Sequence, residues 1–284
     1  MSHPLFSRRL VPIAMALAAT AAVPAVATAQ APVPPPAPAG PVEVLPDLVM
    51  EVPSKLSVKK VRRSGKVRWD LGFRSSAVNI GPGSLNVRGV RASTAEPLLN
   101  AEQLINLSDG TRMLEGQFST RPNVGKMRFQ ADGGHSHWHL MRFQRFQLIR
   151  GTKVVRKDRK YATGYCLGNR YLAVPNAVFA PAAPNQSDQC GKDDRNVLDL
   201  MTGIQVGFGD PYEPYLEGQS VDITGLKAGT YSLAHIVNPA RSLFEANTAN
   251  NSSSVAVRVR WPRGSKAKPS VRIVKRCAGK RICR

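Results

Sequence analysis

The chain has 284 residues and a formal net charge of +21, from 40 Lys/Arg against 19 Asp/Glu. Beyond a short leader that length holds one domain of ordinary to large size, and no segment after the leader is apolar for long enough to cross a bilayer. The charge points to an anionic partner, but nucleic acid is not expected: there is no recognisable binding module, and no aromatics are interleaved with the basic residues of the C-terminal tail.

Arg8 and Arg9 precede an apolar run, Leu10 to Val26, and Ala27-Thr28-Ala29 gives a small-x-small cleavage site before Gln30. This is the pattern of a secretory signal peptide over residues 1–29. Paired arginines are common in ordinary signals, and Ser7-Arg8-Arg9-Leu10 also resembles a twin-arginine start, which would suit export of a folded metalloprotein. Either route makes the mature chain periplasmic, envelope-bound or secreted, with a charge of +19 once Arg8 and Arg9 are removed. Residues 30–43, with Pro34-Pro35-Pro36, Pro38 and Pro41, read as an extended, solvated linker.

Residues 44–261 read as an all-β domain. The expected strands are short runs rich in Val, Leu, Phe and Tyr: Asp47–Val52, Val67–Phe73, Leu85–Arg91, Lys126–Gln130, His137–Ile149, Val154–Tyr161, Ser220–Ile223, Tyr231–Val237 and Ser254–Trp261. Turn residues separate them, as at Asn79-Ile80-Gly81-Pro82-Gly83 and Lys227-Ala228-Gly229. Many short strands with regular turns favour a β-sandwich with long loops. Glu96–Leu107 is the best helical candidate. Ala173–Asn196, rich in Pro, Ala, Asn and Asp, is expected to be a long loop. Residues 262–284 form a basic tail with nine Lys/Arg and no acid. Its functional reading is attachment to an anionic envelope polymer, a lipid surface or an acidic protein; its plain reading is solubility.

The four cysteines, Cys166, Cys190, Cys277 and Cys283, all lie beyond the leader. An even number in an exported chain favours disulfides. Of the three pairings, Cys166–Cys190 with Cys277–Cys283 is preferred, because the first two lie in the domain and the last two are isolated in the tail. Neither pair has zinc-ribbon spacing.

The chemistry concentrates in Gly133-Gly134-His135-Ser136-His137-Trp138-His139. A strand turns alternate side chains to one face, so His135, His137 and His139 can converge on one ion, and Trp138 points the other way, into the core. Three neutral nitrogen ligands suit Cu(II) or Zn(II) rather than Mg(II) or Ca(II), and three protein ligands leave a coordination position open. His235 lies on the face of its strand that carries Tyr231 and Leu233. It could be a fourth ligand or a proton donor; a hydrogen-bonded core histidine is the commoner role.

The stretch Asp132-Gly-Gly-His135-Ser-His137-Trp-His139-Leu-Met-Arg-Phe143 resembles the copper-binding segment of the lysyl oxidase family. Tyr165-Cys166-Leu167 resembles that family's aromatic-Cys-Leu segment. Gly209-Asp210-Pro211-Tyr212, followed by Val221-Asp222-Ile223-Thr224, resembles its tyrosine segment at matching spacing. Tyr231-Ser-Leu, Val237-Asn238-Pro239, Glu245 and Thr248-Ala-Asn250-Asn251 resemble its closing strand and turn. The resemblance covers roughly Leu71 to Val257 and implies copper on His135, His137 and His139. It also implies a lysyl-tyrosyl quinone with Tyr212 as its tyrosine. The family's lysine position falls on Ala162, with Lys160 two residues away as the nearest cross-link candidate.

The resemblance implies a copper-dependent oxidoreductase that converts a primary amine, or a lysine on a protein, to an aldehyde with O2. Asp210 and Glu213 are the candidate general bases. Ala162 motivates a different expectation, an exported copper-binding protein without amine oxidase activity. A plain envelope-interaction sandwich that uses its basic tail as an anchor is a third. Arg142 and Arg145 could bind an anionic substrate or be ordinary surface arginines, and Glu245, Asn250 and Asn251 are expected to organise a turn through Asx-type hydrogen bonds.

Overall fold

Alternation of buried and exposed side chains along extended segments builds this molecule. The computed structural model describes residues 40–131, 136–158, 164–181, 183, 189–216, 218–264 and 266–284. In chain order its strands are β1 (Val42–Val44), β2 (Leu48–Met50), β3 (Ser54–Arg63), β4 (Lys66–Asn79), β5 (Leu85–Val90), β6 (Leu98–Ser108), β7 (Met113–Gln130), β8 (His137–Leu140), β9 (Gln144–Arg150), β10 (Lys153–Lys157), β11 (Tyr171–Leu172), β12 (Asp199–Ile204), β13 (Phe208–Tyr212), β14 (Ser220–Asp222), β15 (Gly229–Val237), β16 (Ser252–Arg260) and β17 (Ser270–Cys277). No helix occurs among the described residues, and none is therefore long and apolar enough to cross a membrane. The all-β expectation holds. The expected signal peptide and most of the linker lie outside the described residues; the linker's last two residues open β1, which pairs with β6 through Val42↔Ser108.

The strands form three antiparallel sheets. One runs β12-β5-β6-β7-β8 with β1 also on β6, one runs β10-β9-β15-β16-β17, and one runs β11-β13-β4-β14 with β2 and β3 also on β4. The long β4 organises the third sheet: Ala77 pairs with Met50 of β2 and Asp210 of β13, and Gly72 pairs with Ser57 of β3 and Ser220 of β14. Inward side chains from all three sheets join one buried apolar cluster, including Leu71, Phe73, Val87, Leu99, Phe146 and Val255. Phe73 and Phe146 meet edge to face with ring centroids 4.7 Å apart.

The helix expected over Glu96–Leu107 is strand β6. From Leu98 to Ile105 its buried positions are Leu99, Ala101, Gln103 and Ile105, a period of two. The inward Gln103 hides that alternation in the sequence. Its amide is satisfied by main chain, donating to Phe244 O at 2.9 Å and accepting from Phe244 N at 2.8 Å. The described part of Ala173–Asn196 contains no helix or strand, as expected of a loop. Both expected disulfides are present.

Several strands escaped the sequence reading for definite reasons. β3 is a cationic edge, and charge is how exposed edges are kept from pairing. β13 carries Gly209, Asp210 and Pro211, all depleted in strands. The segment expected as a basic tail contributes β17, which pairs with β16 from Ser254↔Cys277 to Arg260↔Ser270. Its inward residues Val271 and Ile273 are only half-buried, and Arg272, Lys275 and Arg276 are exposed beside Val274, so the run reads as charged rather than as alternating.

Candidate functional site

The histidine strand is enclosed on both edges. β8 pairs with the end of β7, setting His137 opposite Gln130 and His139 opposite Arg128. On its other edge Leu140 exchanges two backbone hydrogen bonds with Tyr165, at 2.8 and 3.0 Å, and Trp138 N donates to Cys190 O at 2.9 Å. The Cys166–Cys190 disulfide joins the two segments that hold this second edge. Trp138 is 1% exposed. Its indole N–H donates to Asp194 O at 3.0 Å, and the Arg91 guanidinium lies 4.8 Å from its ring.

Held in this way, His137 and His139 turn their rings toward each other. Their Nε2 atoms are 2.8 Å apart and their ring centroids 4.8 Å. His139 is buried and His137 half-buried. His135, the first residue of the expected triplet, lies outside the described residues, and among those described no group of three His, Cys, Asp or Glu side chains could hold a metal. The described pair fits a metal nonetheless. Two nitrogens each about 2.0 Å from one ion, at right angles about it, are separated by about 2.8 Å. Two imidazoles are a donor set suited to copper or zinc.

A second cluster lies across the Leu140–Tyr165 pairing. Residues directly opposite in an antiparallel pair share a face, so Tyr165 stands with Leu140 and away from His139. The Tyr165 ring meets the Tyr212 ring edge to face at 4.9 Å. Tyr212 ends β13, is buried, and donates its hydroxyl to Cys166 O at 2.6 Å. Burial pushes its phenol well above the ordinary range, and the nearby Asp210 carboxyl pushes the same way. Asp210, two residues earlier on the same face of β13, is itself buried, with Oδ2 lacking a hydrogen-bond partner among the described residues. Burial raises its carboxyl to about 8, against the opposing pull of Arg170, whose Nε is 3.8 Å away.

Two glycines permit these approaches. Gly164 has φ +80°, and a Cβ there would sit 2.4 Å from Leu140 O. A Cβ on Gly209 would sit 2.5 Å from the Tyr171 ring. Sequence reasoning missed Tyr165 and Arg170 as neighbours of Tyr212 and Asp210. They lie some forty residues before the tyrosine segment, so nothing in the local sequence signalled the contact; only the chain path makes it.

The remaining candidates separate. Lys160 and Ala162 lie outside the described residues. Glu213 is held by Lys55 at 3.0 Å and Arg74 at 3.1 Å, an ion-paired strut rather than a poised base. His235 is a fully buried core histidine: its ring packs on Phe146 at 4.6 Å, its Nδ1 lies 3.3 Å from Glu51 O, and burial lowers it to about 3. Glu245 accepts from Asn238, Asn251 and Leu48 N, and Asn250 donates to Asp47, so the closing turn is a hydrogen-bonded clasp. Arg142 is exposed, and Arg145 lines a cleft bounded by β9 and β15.

The family model described as lysyl oxidase matches residues 89–264, more than half of the chain. Among curated proteins, lysyl oxidase homolog 2B of Danio rerio is 25% identical over 166 residues, covering 56% of this chain and 19% of that protein. The chain thus spans less than a fifth of that relative's length. The family match takes in β8, both ends of the Cys166–Cys190 disulfide, and Tyr212 with Asp210. The chain belongs to the lysyl oxidase family.

Proposed function

We propose that the protein is an exported copper-dependent amine oxidase that converts a primary amine, including the lysine side chain of a protein, to an aldehyde. The balance is one amine, one O2 and one water giving aldehyde, ammonia and hydrogen peroxide. The convergence of the His137 and His139 Nε2 atoms at 2.8 Å, in a chain of this family, is the observation that carries the reading.

His137 and His139, with His135 two residues ahead on the same alternation, hold copper. Bound copper supplies redox chemistry with O2, and a tyrosine-derived quinone supplies the electrophilic carbonyl that side chains lack. Tyr212 is the quinone precursor, held in place by Cys166 O and the Tyr165 ring. Lys160 is the cross-link candidate. Asp210 is the proton acceptor: a carboxyl raised to about 8 gains and releases a proton near neutral pH, as a general base must. Buried beside Tyr212, it is shielded from bulk water, whereas Glu213 is committed to two cations.

Peptide mass spectrometry of the mature chain, expressed with copper in air, tests the quinone. The expected result is Tyr212 covalently joined to a lysine; an unmodified Tyr212 in copper-loaded protein overturns it. Metal analysis of His137→Ala tests the centre, with copper expected to fall to less than half of the parent's content. Ala162, at the position where the family resemblance puts lysine, favours a second reading: a copper-binding protein without amine oxidation. Unmodified Tyr212 with full copper content is its signature.

A further inference from the structure

The C-terminal segment crosses the outer face of the β9-β15-β16-β17 sheet and is fixed to it strand by strand. Gly279 N donates to Ser253 Oγ at 3.1 Å, and Ser254 Oγ donates to Lys280 O at 2.6 Å, both on β16. Cys283 N donates to Ser232 Oγ of β15 at 2.9 Å, and the Arg281 guanidinium reaches Gln147 Oε1 of β9 at 2.7 Å. The Cys277–Cys283 disulfide closes the loop, with both cysteines buried. What this strap presents is cationic. A cleft of about 540 Å³ on one side is lined by Lys275, Arg276, Lys280 and Arg284. A cleft of about 360 Å³ on the other is lined by Arg145, Arg241 and Arg281. No Asp or Glu lines either. Lys275 donates to an oxygen of Arg284, and none of Arg276, Lys280, Arg281 and Arg284 pairs with a side-chain carboxylate among the described residues.

We propose that this strap and its two clefts form an exosite for an acidic protein, the one that carries the lysine to be oxidised. The inference rests on the amine oxidase reading for its link to substrate. A primary amine is a cation at neutral pH, and a strongly basic enzyme repels it unless its carrier is anionic. Guanidinium groups in clefts suit the bidentate capture of side-chain carboxylates. A rigid strap loses little conformational entropy when it binds. Nucleic acid would want stacking aromatics, and neither cleft has one. A lipid surface would want a sizeable apolar anchor beside the cations; the strap's exposed Lys275, Arg276, Lys280, Arg281 and Arg284 have only Val274 and a half-buried Ile282 among them.

The test uses the full copper-loaded chain and fluorescently labelled poly-L-glutamate, read by anisotropy. Binding is expected to weaken at least tenfold when salt rises from about 0.05 to 0.3 M, as exposed charges are screened. The triple variant Arg276→Gln, Lys280→Gln, Arg284→Gln keeps the disulfide and the Arg281–Gln147 contact. It is expected to weaken binding at least tenfold with the melting temperature unchanged. Binding within twofold of the parent overturns the exosite. So does an equal loss in a control triple on the β3–β4 edge (Lys59→Gln, Lys60→Gln, Lys66→Gln), which would show mere net charge. Tighter binding to dextran sulfate or phosphatidylglycerol vesicles, lost in the same triple, overturns the acidic protein as occupant. With amine substrates, the triple should lose at least tenfold in kcat/KM on a Glu/Lys copolymer and less than twofold on n-butylamine; equal losses on both overturn the exosite. A parent that oxidises neither amine overturns the amine oxidase reading and the link to substrate, while anisotropy still decides whether the strap binds acidic polypeptide.

Discussion

Two buried titratable side chains pull stability in opposite directions with pH. Asp210, raised by burial to about 8 from 3.8, is protonated in the folded chain and ionised in the unfolded chain between those values. The folded state binds the extra proton, so stability falls as pH rises from about 4 to 8. His235, lowered by burial to about 3 from 6.5, is neutral when folded and protonated when unfolded between those values. Stability there falls as pH drops from about 6.5 to 3. The two slopes cancel between about pH 4 and 6.5, giving a plateau with an acid limb due to His235 and an alkaline limb due to Asp210. The facing groups set these environments: Arg170, Tyr212 and Tyr165 around Asp210, the Phe146 ring and Glu51 O around His235. Melting temperatures across pH 3–9 check this. Asp210→Asn should flatten the alkaline limb and leave the acid limb, and a parent-like alkaline limb in that variant contradicts the assignment. The core role of His235 was the commoner reading of its sequence and the structure bears it out; the burial of Asp210 was not legible, because an Asp beside a proline looks alike whether buried or exposed. The histidine pair was legible, since alternation on a strand is a local property.

At the scale of elements, the site depends on close backbone approaches that few residues permit. Gly164 combines a left-handed φ with a position against Leu140 O, so Gly164→Ala is strained twice. The expected cost is about 1–3 kcal/mol for the backbone conformation alone, plus displacement of Tyr165 from β8. A lowered melting temperature together with reduced copper content checks this. A variant as stable as the parent shows that the Tyr165 segment can shift away from β8 at little cost. The element that sequence misread, β6, and three of those it missed, β3, β13 and β17, share a cause. Their pattern is set by tertiary partners (Phe244 for Gln103, β4 for β3 and β13, β16 for β17) rather than by local hydrophobic period.

At the scale of the molecule, the C-terminal segment closes a sheet edge. Removing residues beyond Trp261 deletes β17 and leaves β16, with its central run of buried residues, as an open edge. The truncated chain is expected to melt lower and to associate on size-exclusion chromatography. A monodisperse truncation that melts with the parent would show that β17 adds nothing to the sheet. Copper content should survive the truncation, because β8 belongs to a different sheet.

The sequence by itself determined the all-β class, the histidine strand and the family, and favoured the disulfide pairing that is present, because each is written in short-range spacing: period-two alternation, motifs in order along the chain, and cysteines grouped by segment. Only the tertiary structure decided what burial decides. It set Tyr212 against Tyr165 and Asp210, committed Glu213 to an ion pair, buried His235 in the core and strapped the basic C-terminus across a sheet. Those outcomes depend on which distant segment supplies the neighbouring atoms, and desolvation, pairing and packing act only once those atoms have arrived.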